Sequence, residues 1–293
     1  MKVGYNGDVV DAKEAVISVF DHGFLYGMGL FETFRTYGGK PYLLDRHMQR
    51  LAAGCRELGI RIPITGAEVR EWLSRLLAAN GLGEAYVRLT VSAGDAGLGL
   101  PSGEYEQPNV VLLVKPLPDV SEEVYRQGRE LRLLKTARNT PEGGYRLKSL
   151  HYMNNILAKQ ELLAAKVSAG AEGLMLTREG RLAEGIVSNL FFVRDGKVCT
   201  PGLETGILPG ITRQRVLELA SEAGYETEEG LYGWDDLLQA AEVWTTGSVQ
   251  ELMPITKLTD LQGVSYQVGQ GTAGPAASAL LAAYRHDARN VKA

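Results

Sequence analysis

The sequence predicts a mixed α/β protein, α+β in its local order, built from two domains of unequal size. Three observations predict this. At 293 residues the chain is longer than one average domain and suits two that share an interface. Runs rich in β-formers alternate with stretches whose apolar residues recur every three or four positions. The segment Lys115-Pro116-Leu117-Pro118-Asp119 can continue neither a strand nor a helix, because its prolines remove donors and fix φ. The expected organisation is a small N-terminal domain over 1–115, a linker over 116–125 and a larger domain over 126–293.

The elements follow in order. Asn6-Gly7 lies between short apolar runs, a hairpin signal because both residues accept positive φ. Leu30 to Tyr37, Gly38-Gly39 and Lys40 to Leu44 read as a second hairpin. Leu44, Met48, Leu51, Cys55 and Leu58 share one helical face, so Asp45 to Leu58 is an amphipathic helix. Thr65-Gly66-Ala67-Glu68 is a capping box that opens a helix through Ala79. Tyr86 to Val91 and Val110 to Val114 read as buried strands. In the second half, strands are expected near Glu130 to Lys135, Leu174 to Leu176, Leu190 to Arg194 and Val243 to Thr246, with a hairpin at Asp195-Gly196. Helices are expected over Tyr152 to Ala165, Ile211 to Ala223, Asp235 to Ala240 and Ala276 to Arg285.

Composition narrows the function. Hydrophobic residues at 45% and charged residues at 23% describe an ordinary protein with real cores. A net charge of −4 with interspersed signs argues against a nucleic-acid footprint, which needs a basic face. The apolar stretch Ala276 to Ala283 is far short of the roughly 20 residues that span a bilayer. Met1-Lys2-Val3-Gly4 lacks the apolar core of a signal peptide. The two cysteines, Cys55 and Cys199, indicate no disulfide framework, so a cytoplasmic location is expected. His22, His47, His151 and His286 show no metal-ligand spacing, and no metal is expected.

Four segments could carry chemistry. Lys148 stands in Arg146-Leu147-Lys148-Ser149-Leu150-His151-Tyr152 among apolar and aromatic neighbours. Desolvation favours a lysine's neutral amine, the form that makes Schiff bases; the plainer reading is a solvated lysine at a helix start. Glu184 and Asn189 lie in the apolar run Leu182 to Phe192. A carboxylate buried there needs a partner, such as a protonated cofactor ring; the plainer reading is a turn glutamate at a strand edge. Gly206-Ile207-Leu208-Pro209-Gly210-Ile211-Thr212-Arg213 opens a helix whose N–H groups would suit an anion, or simply starts the helix. Thr245-Thr246-Gly247-Ser248 is a hydroxyl-rich turn after an apolar strand, with the same two readings.

Together these segments resemble, in order and spacing, the fold-type IV pyridoxal-phosphate enzymes, the class IV aminotransferase family. Phe20-Asp21-His22-Gly23-Phe24-Leu25-Tyr26-Gly27, Phe31-Glu32-Thr33-Phe34-Arg35 and His47-Met48-Gln49-Arg50-Leu51 extend the resemblance across residues 20 to 254. It implies a small α/β domain and a larger β-barrel-like domain with surrounding helices. Lys148 would then carry the cofactor pyridoxal 5′-phosphate and move protons, and Glu184 would pair with its ring nitrogen. Arg50, the backbone N–H groups of Ile211 and Thr212, and the Gly247-Ser248 turn would hold the phosphate, with Leu208 a further cofactor-binding residue. Tyr152 would lie near the phenolic oxygen, with Ser188 and Asn189 supporting the ring. A homodimer acting on a small molecule is implied.

Within the family the chain looks closest to the 4-amino-4-deoxychorismate lyases. Arg138-Asn139-Thr140-Pro141-Glu142-Gly143-Gly144-Tyr145-Arg146-Leu147-Lys148-Ser149 resembles their lysine segment. Thr33 stands where a lyase places a threonine that helps proton transfer. Ala93, in Val91-Ser92-Ala93-Gly94, replaces an arginine by which the related aminotransferases hold the α-carboxylate. The implied reaction releases pyruvate and leaves 4-aminobenzoate, with Arg35, Arg138 and Arg146 as candidate cations for a dianionic substrate. A D-amino-acid or branched-chain aminotransferase is the second reading, and a pyridoxal-phosphate-binding protein without turnover the third.

Overall fold

In a computed structural model that describes residues 1–62 and 64–290, the chain divides into two compact units. The first takes Met1–Pro118, Leu147–His151 and the end of the chain from Ala288; the second takes Asp119–Arg146 and Tyr152–Asp287. The fold is mixed α/β.

The first unit holds β1 (Lys2–Tyr5), β2 (Asp8–Asp11), α1 (His22–Tyr26), β3 (Gly29–Tyr37), β4 (Lys40–Pro41), α2 (Leu44–Glu57), α3 (Gly66–Asn80), β5 (Tyr86–Ser92) and β6 (Asn109–Lys115). Its six strands form one sheet in the order β2-β1-β6-β5-β3-β4. Strand alternation separates two faces. Leu30 and Phe34 of β3, with Val87, Leu89 and Val91 of β5, pack against Leu51, Trp72, Leu73 and Leu76 of α2 and α3. Phe31, Thr33 and Arg35 therefore stand on the opposite face. α3 starts as expected: Thr65 and Glu68 exchange side-chain and backbone hydrogen bonds in a capping box. The strand expected over Lys40 to Leu44 is shorter than that, because Leu43 turns to φ 54° and α2 begins at once.

The second unit opens with α4 (Glu122–Gln127) after residues 116–121, which form neither helix nor strand. It continues through β7 (Arg129–Leu133), α5 (Met153–Ala164), β8 (Glu172–Leu176), β9 (Leu182–Gly185), β10 (Asn189–Arg194), β11 (Lys197–Pro201), α6 (Ile211–Glu222), β12 (Thr227–Gly230), α7 (Trp234–Leu238), β13 (Glu242–Gly247), β14 (Glu251–Thr259), β15 (Ser265–Gln267) and α8 (Pro275–Arg289). The sheet runs β12-β11-β10-β13-β14-β7-β8-β9, with β15 paired to β14. It curls: β9, at one end of that path, packs against β10 and β11 near the other. The apolar run Leu182 to Phe192 is two strands, broken at Ile186–Ser188 by a turn that Gly185 N closes onto Ser188 O at 2.7 Å. No helix among the described residues is long and apolar enough to cross a membrane.

Candidate active site

In the first unit the lysine is fixed by its backbone. Phe31 N donates to Lys148 O at 2.9 Å and Leu150 N to Gly29 O at 3.0 Å, so Leu147–His151 runs antiparallel along the edge of β3 that β5 leaves open. Lys148 Nζ lies 4.6 Å from the centre of the Phe31 ring, and the guanidinium of Arg88 lies 3.6 Å from the same ring. Thr33, two residues on from Phe31, shares its face and is directly opposite Arg88 in the β3–β5 register. Lysine, hydroxyl and a second cation thus share one side of two strands. Arg35 stands on that side too, with Nη2 3.3 Å from Glu84 Oε2 and its guanidinium over Tyr37. Arg88 escaped the sequence reading, although alternation within Tyr86 to Val91 sets it apart as the polar member of an apolar strand.

The helix-covered face holds Arg50. Its Nε and Nη2 donate to the two oxygens of Glu32 at 2.8 and 2.6 Å, and His47 Nδ1 lies 2.6 Å from Glu32 Oε2. Burial opposes the charge on Glu32, but Arg50 and then His47 outweigh it and hold the carboxyl at about 2. Burial also lowers His47, an effect that Glu32 partly offsets and the charges of Arg50 and Lys148 reinforce. The signs agree. The Glu32 contribution is fully present above about pH 4.5 and is lost as pH falls from 4.5 towards about 2, roughly 3 kcal/mol in all. His47, whose ionisation burial disfavours in the fold, also costs stability as pH falls through 6.5. The urea midpoint is expected to drop steadily from pH 7 to pH 3, and Glu32→Gln to flatten the acid part of that profile. Parallel profiles for the two proteins would remove Glu32 as the cause.

In the second unit Glu184 gathers donors. Arg138 Nε donates to Oε1 at 2.8 Å; Asn189 Nδ2 and the backbone N of Leu208 donate to Oε2, each at 3.1 Å. Arg146 Nε stands 3.9 Å from Oε1. Both arginines are 7% exposed. Arg138 also bonds Asn154 Oδ1 at 2.8 Å, and Arg146 Nε bonds Gly206 O at 2.6 Å. Burial, then the like charge of Arg138, bring the Arg146 guanidinium down to about 10. The sequence offers these two as substrate cations; in the structure their guanidinium groups meet Glu184, Asn154 and Gly206.

An anion cradle lies in the same unit. α6 begins at Ile211 with no side chain capping it, so its first N–H groups face outward. Thr212 Oγ1 and Ser248 Oγ lie 3.1 Å apart, and the buried Thr246 Oγ1, one residue before Gly247, has no hydrogen-bond partner among the described residues. Gly210 fits because nothing larger can: a Cβ there would come within 2.0 Å of Asn189 Oδ1. An uncapped helix start, two hydroxyls and an orphaned third suit a phosphate group. Tyr152 directly precedes α5. Ser188 directs its hydroxyl to Glu172 Oε2 at 3.3 Å, a contact that only the strand pairing reveals.

The family model for amino-transferase class IV matches residues 29–258. The chain belongs to that family. It is 41% identical over 288 residues to the aminodeoxychorismate lyase of Bacillus subtilis (strain 168), covering 98% of this chain and 94% of that protein. Among solved structures it is similar to the 4-amino-4-deoxychorismate lyase from Pseudomonas aeruginosa, with TM-score 0.83 and 30% identity over 98% of this chain and 99% of that one. It is also similar to the branched-chain amino acid aminotransferase of T.th. with pyridoxamine 5′-phosphate, with TM-score 0.87 and 30% identity over 99% and 95% of the two chains. As a class IV enzyme it shares the mixed α/β fold of these solved structures.

Proposed function

We propose that this enzyme is a pyridoxal-phosphate-dependent lyase that converts 4-amino-4-deoxychorismate to 4-aminobenzoate and pyruvate. The observation that carries the reading is the placing of Thr33 on the Lys148 face of β3, opposite Arg88. Pyridoxal phosphate, when bound, supplies an electron sink beside the reacting carbon. The residues supply the rest. Lys148 Nζ would hold the cofactor and, once the substrate's amine has displaced it, the freed amine would take the proton from the carbon that bears the substrate's amine. Thr33 Oγ1 delivers a proton to the departing enolpyruvyl group. Arg88 would hold a substrate carboxylate from the neighbouring strand, and Glu184, with Asn189 beside it, would pair with the cofactor's ring nitrogen and keep it protonated. The α6 start with Thr212, Gly247 and Ser248 would take the phosphate, and Arg50 would be its cation. Aminotransferase activity is the second reading, supported by the likeness to a branched-chain enzyme that holds pyridoxamine phosphate.

We also propose a homodimer in the cytosol. α5 supports the first: Met153, Ile156, Leu157 and Leu163 leave a stripe 50–73% exposed, at helical spacing, while Ala158 and Leu162 face the core. Free, buried Cys55 and Cys199 suit a reducing compartment.

Purified protein incubated with enzymatically made aminodeoxychorismate is expected to release 4-aminobenzoate faster than it transaminates D-alanine or leucine with 2-oxoglutarate. Thr33→Val, which keeps the shape and deletes the hydroxyl, should lower lyase turnover by about 10²-fold with cofactor affinity unchanged. Strong transamination without 4-aminobenzoate would overturn the lyase reading.

A further inference from the structure

The turn Ile186–Ser188 joins two residues of the site, Glu184 at the end of β9 and Asn189 at the start of β10. With only three residues between the strands, a shift of the turn moves at least one of those side chains. It is pinned from two directions. From α5, Asn155 Nδ2 donates to Ile186 O at 2.5 Å. From β8, the carboxylate of Glu172 takes Ile186 N at 3.1 Å and Ser188 Oγ at 3.3 Å, besides Gly173 N at 3.0 Å. Two of the three groups facing Glu172 are backbone N–H donors, both on Oε1, and the Ser188 hydroxyl, which can donate or accept, faces Oε2, so the side chain has to supply acceptor oxygen to this turn. Enclosure raises this carboxyl above the ordinary range, against the pull of those hydrogen bonds and of Lys159. The protein thus keeps a costly group under this turn, where an apolar side chain would leave the Ser188 hydroxyl without an acceptor.

We infer that Glu172 is a positioning residue: through the Ile186–Ser188 turn it fixes how Glu184 and Asn189 are presented to the cofactor ring. The inference rests on the pyridoxal-phosphate reading above and adds to it a residue that touches neither cofactor nor substrate. Glu172→Leu keeps most of the volume and removes both acceptor oxygens, so Gly173 N and the Ser188 hydroxyl lose this partner. Glu172→Asp keeps the charge and withdraws it from the turn.

The test uses full-length protein stripped of cofactor and titrated with pyridoxal phosphate. Glu172→Leu is expected to raise the dissociation constant at least 10-fold. The pH midpoint of the bound cofactor's absorbance should also shift by half a unit or more, and amide exchange over residues 182–192 should speed up. Glu172→Asp should move the same three readouts by less, and it serves as the reporter if the leucine variant does not fold. A residue that merely stabilised the fold would lower the melting temperature without moving the absorbance midpoint. Variants that bind within twofold of wild type, with an unchanged midpoint, overturn the inference alone. A wild type that takes up no pyridoxal phosphate overturns the functional reading beneath it.

Discussion

Lys148→Ala is expected to abolish turnover, by about 10⁴-fold, while leaving the fold intact. The magnitude follows from asking one amine to do two tasks, holding the cofactor and moving a proton, of which a positioned proton-transfer group alone contributes 10²–10⁴. The fold should survive because alanine keeps the backbone of Lys148, which accepts the hydrogen bond from Phe31 N in β3. Borohydride reduction of the loaded wild type, followed by peptide mapping, should place the pyridoxyl group on Lys148. Recovery of the label on Lys135 or Lys159 instead, or turnover in the alanine variant within tenfold of wild type, would assign the chemistry to another amine.

Arg138→Ala should produce the largest loss of stability. It strips Glu184 of its 2.8 Å partner and leaves Arg146 at 3.9 Å as the nearest cation. Breaking a buried ion pair from one side costs about 3–5 kcal/mol, because the remaining charge keeps its desolvation penalty. Calorimetry of the cofactor-free protein should show a melting transition lower by roughly 10 °C. Removing both charges in Arg138→Met/Glu184→Gln should recover part of that loss, since no orphaned carboxylate remains. Equal losses in the single and double variants would mean that the pair is not coupled.

Much of the architecture was legible because periodicity reports burial directly. The α3 capping box, the two-residue hairpins at Asn6-Gly7 and Asp195-Gly196, and the alternation in β3 and β5 depend on neighbours close in sequence. β14 was not legible. Pro254 sits inside its nine residues, and a proline argues against an interior strand. The structure accommodates it because β7 pairs with β14 only from Ile255 onward, so no ladder bond is asked of Pro254 on that side. The break in Leu182 to Phe192 was hidden for another reason: Glu172, which holds the turn, lies 14 residues upstream of Ile186. The site divides the same way. The lysine, the glutamate and the helix start are readable as local chemistry. Arg88 beside Phe31 and Arg138 on Glu184 depend on strand register and on a contact 46 residues apart in sequence.

The pairing of Leu147–His151 with β3 has a consequence for how the chain can be divided. Five residues that belong with the first unit are delivered only after 28 residues of the second, Asp119–Arg146, have been made. A fragment cut at Pro118 would keep every helix and strand of the first unit's sheet, yet expose the outer edge of β3 from Gly29 to Phe31. Unpaired edges invite other chains. The long sequence separation also places this closure late in folding, since loop entropy must be spent before the contact forms. The two units are therefore distinct in space and interleaved in time, and the strip that carries the reactive amine is also the one that seals the first sheet.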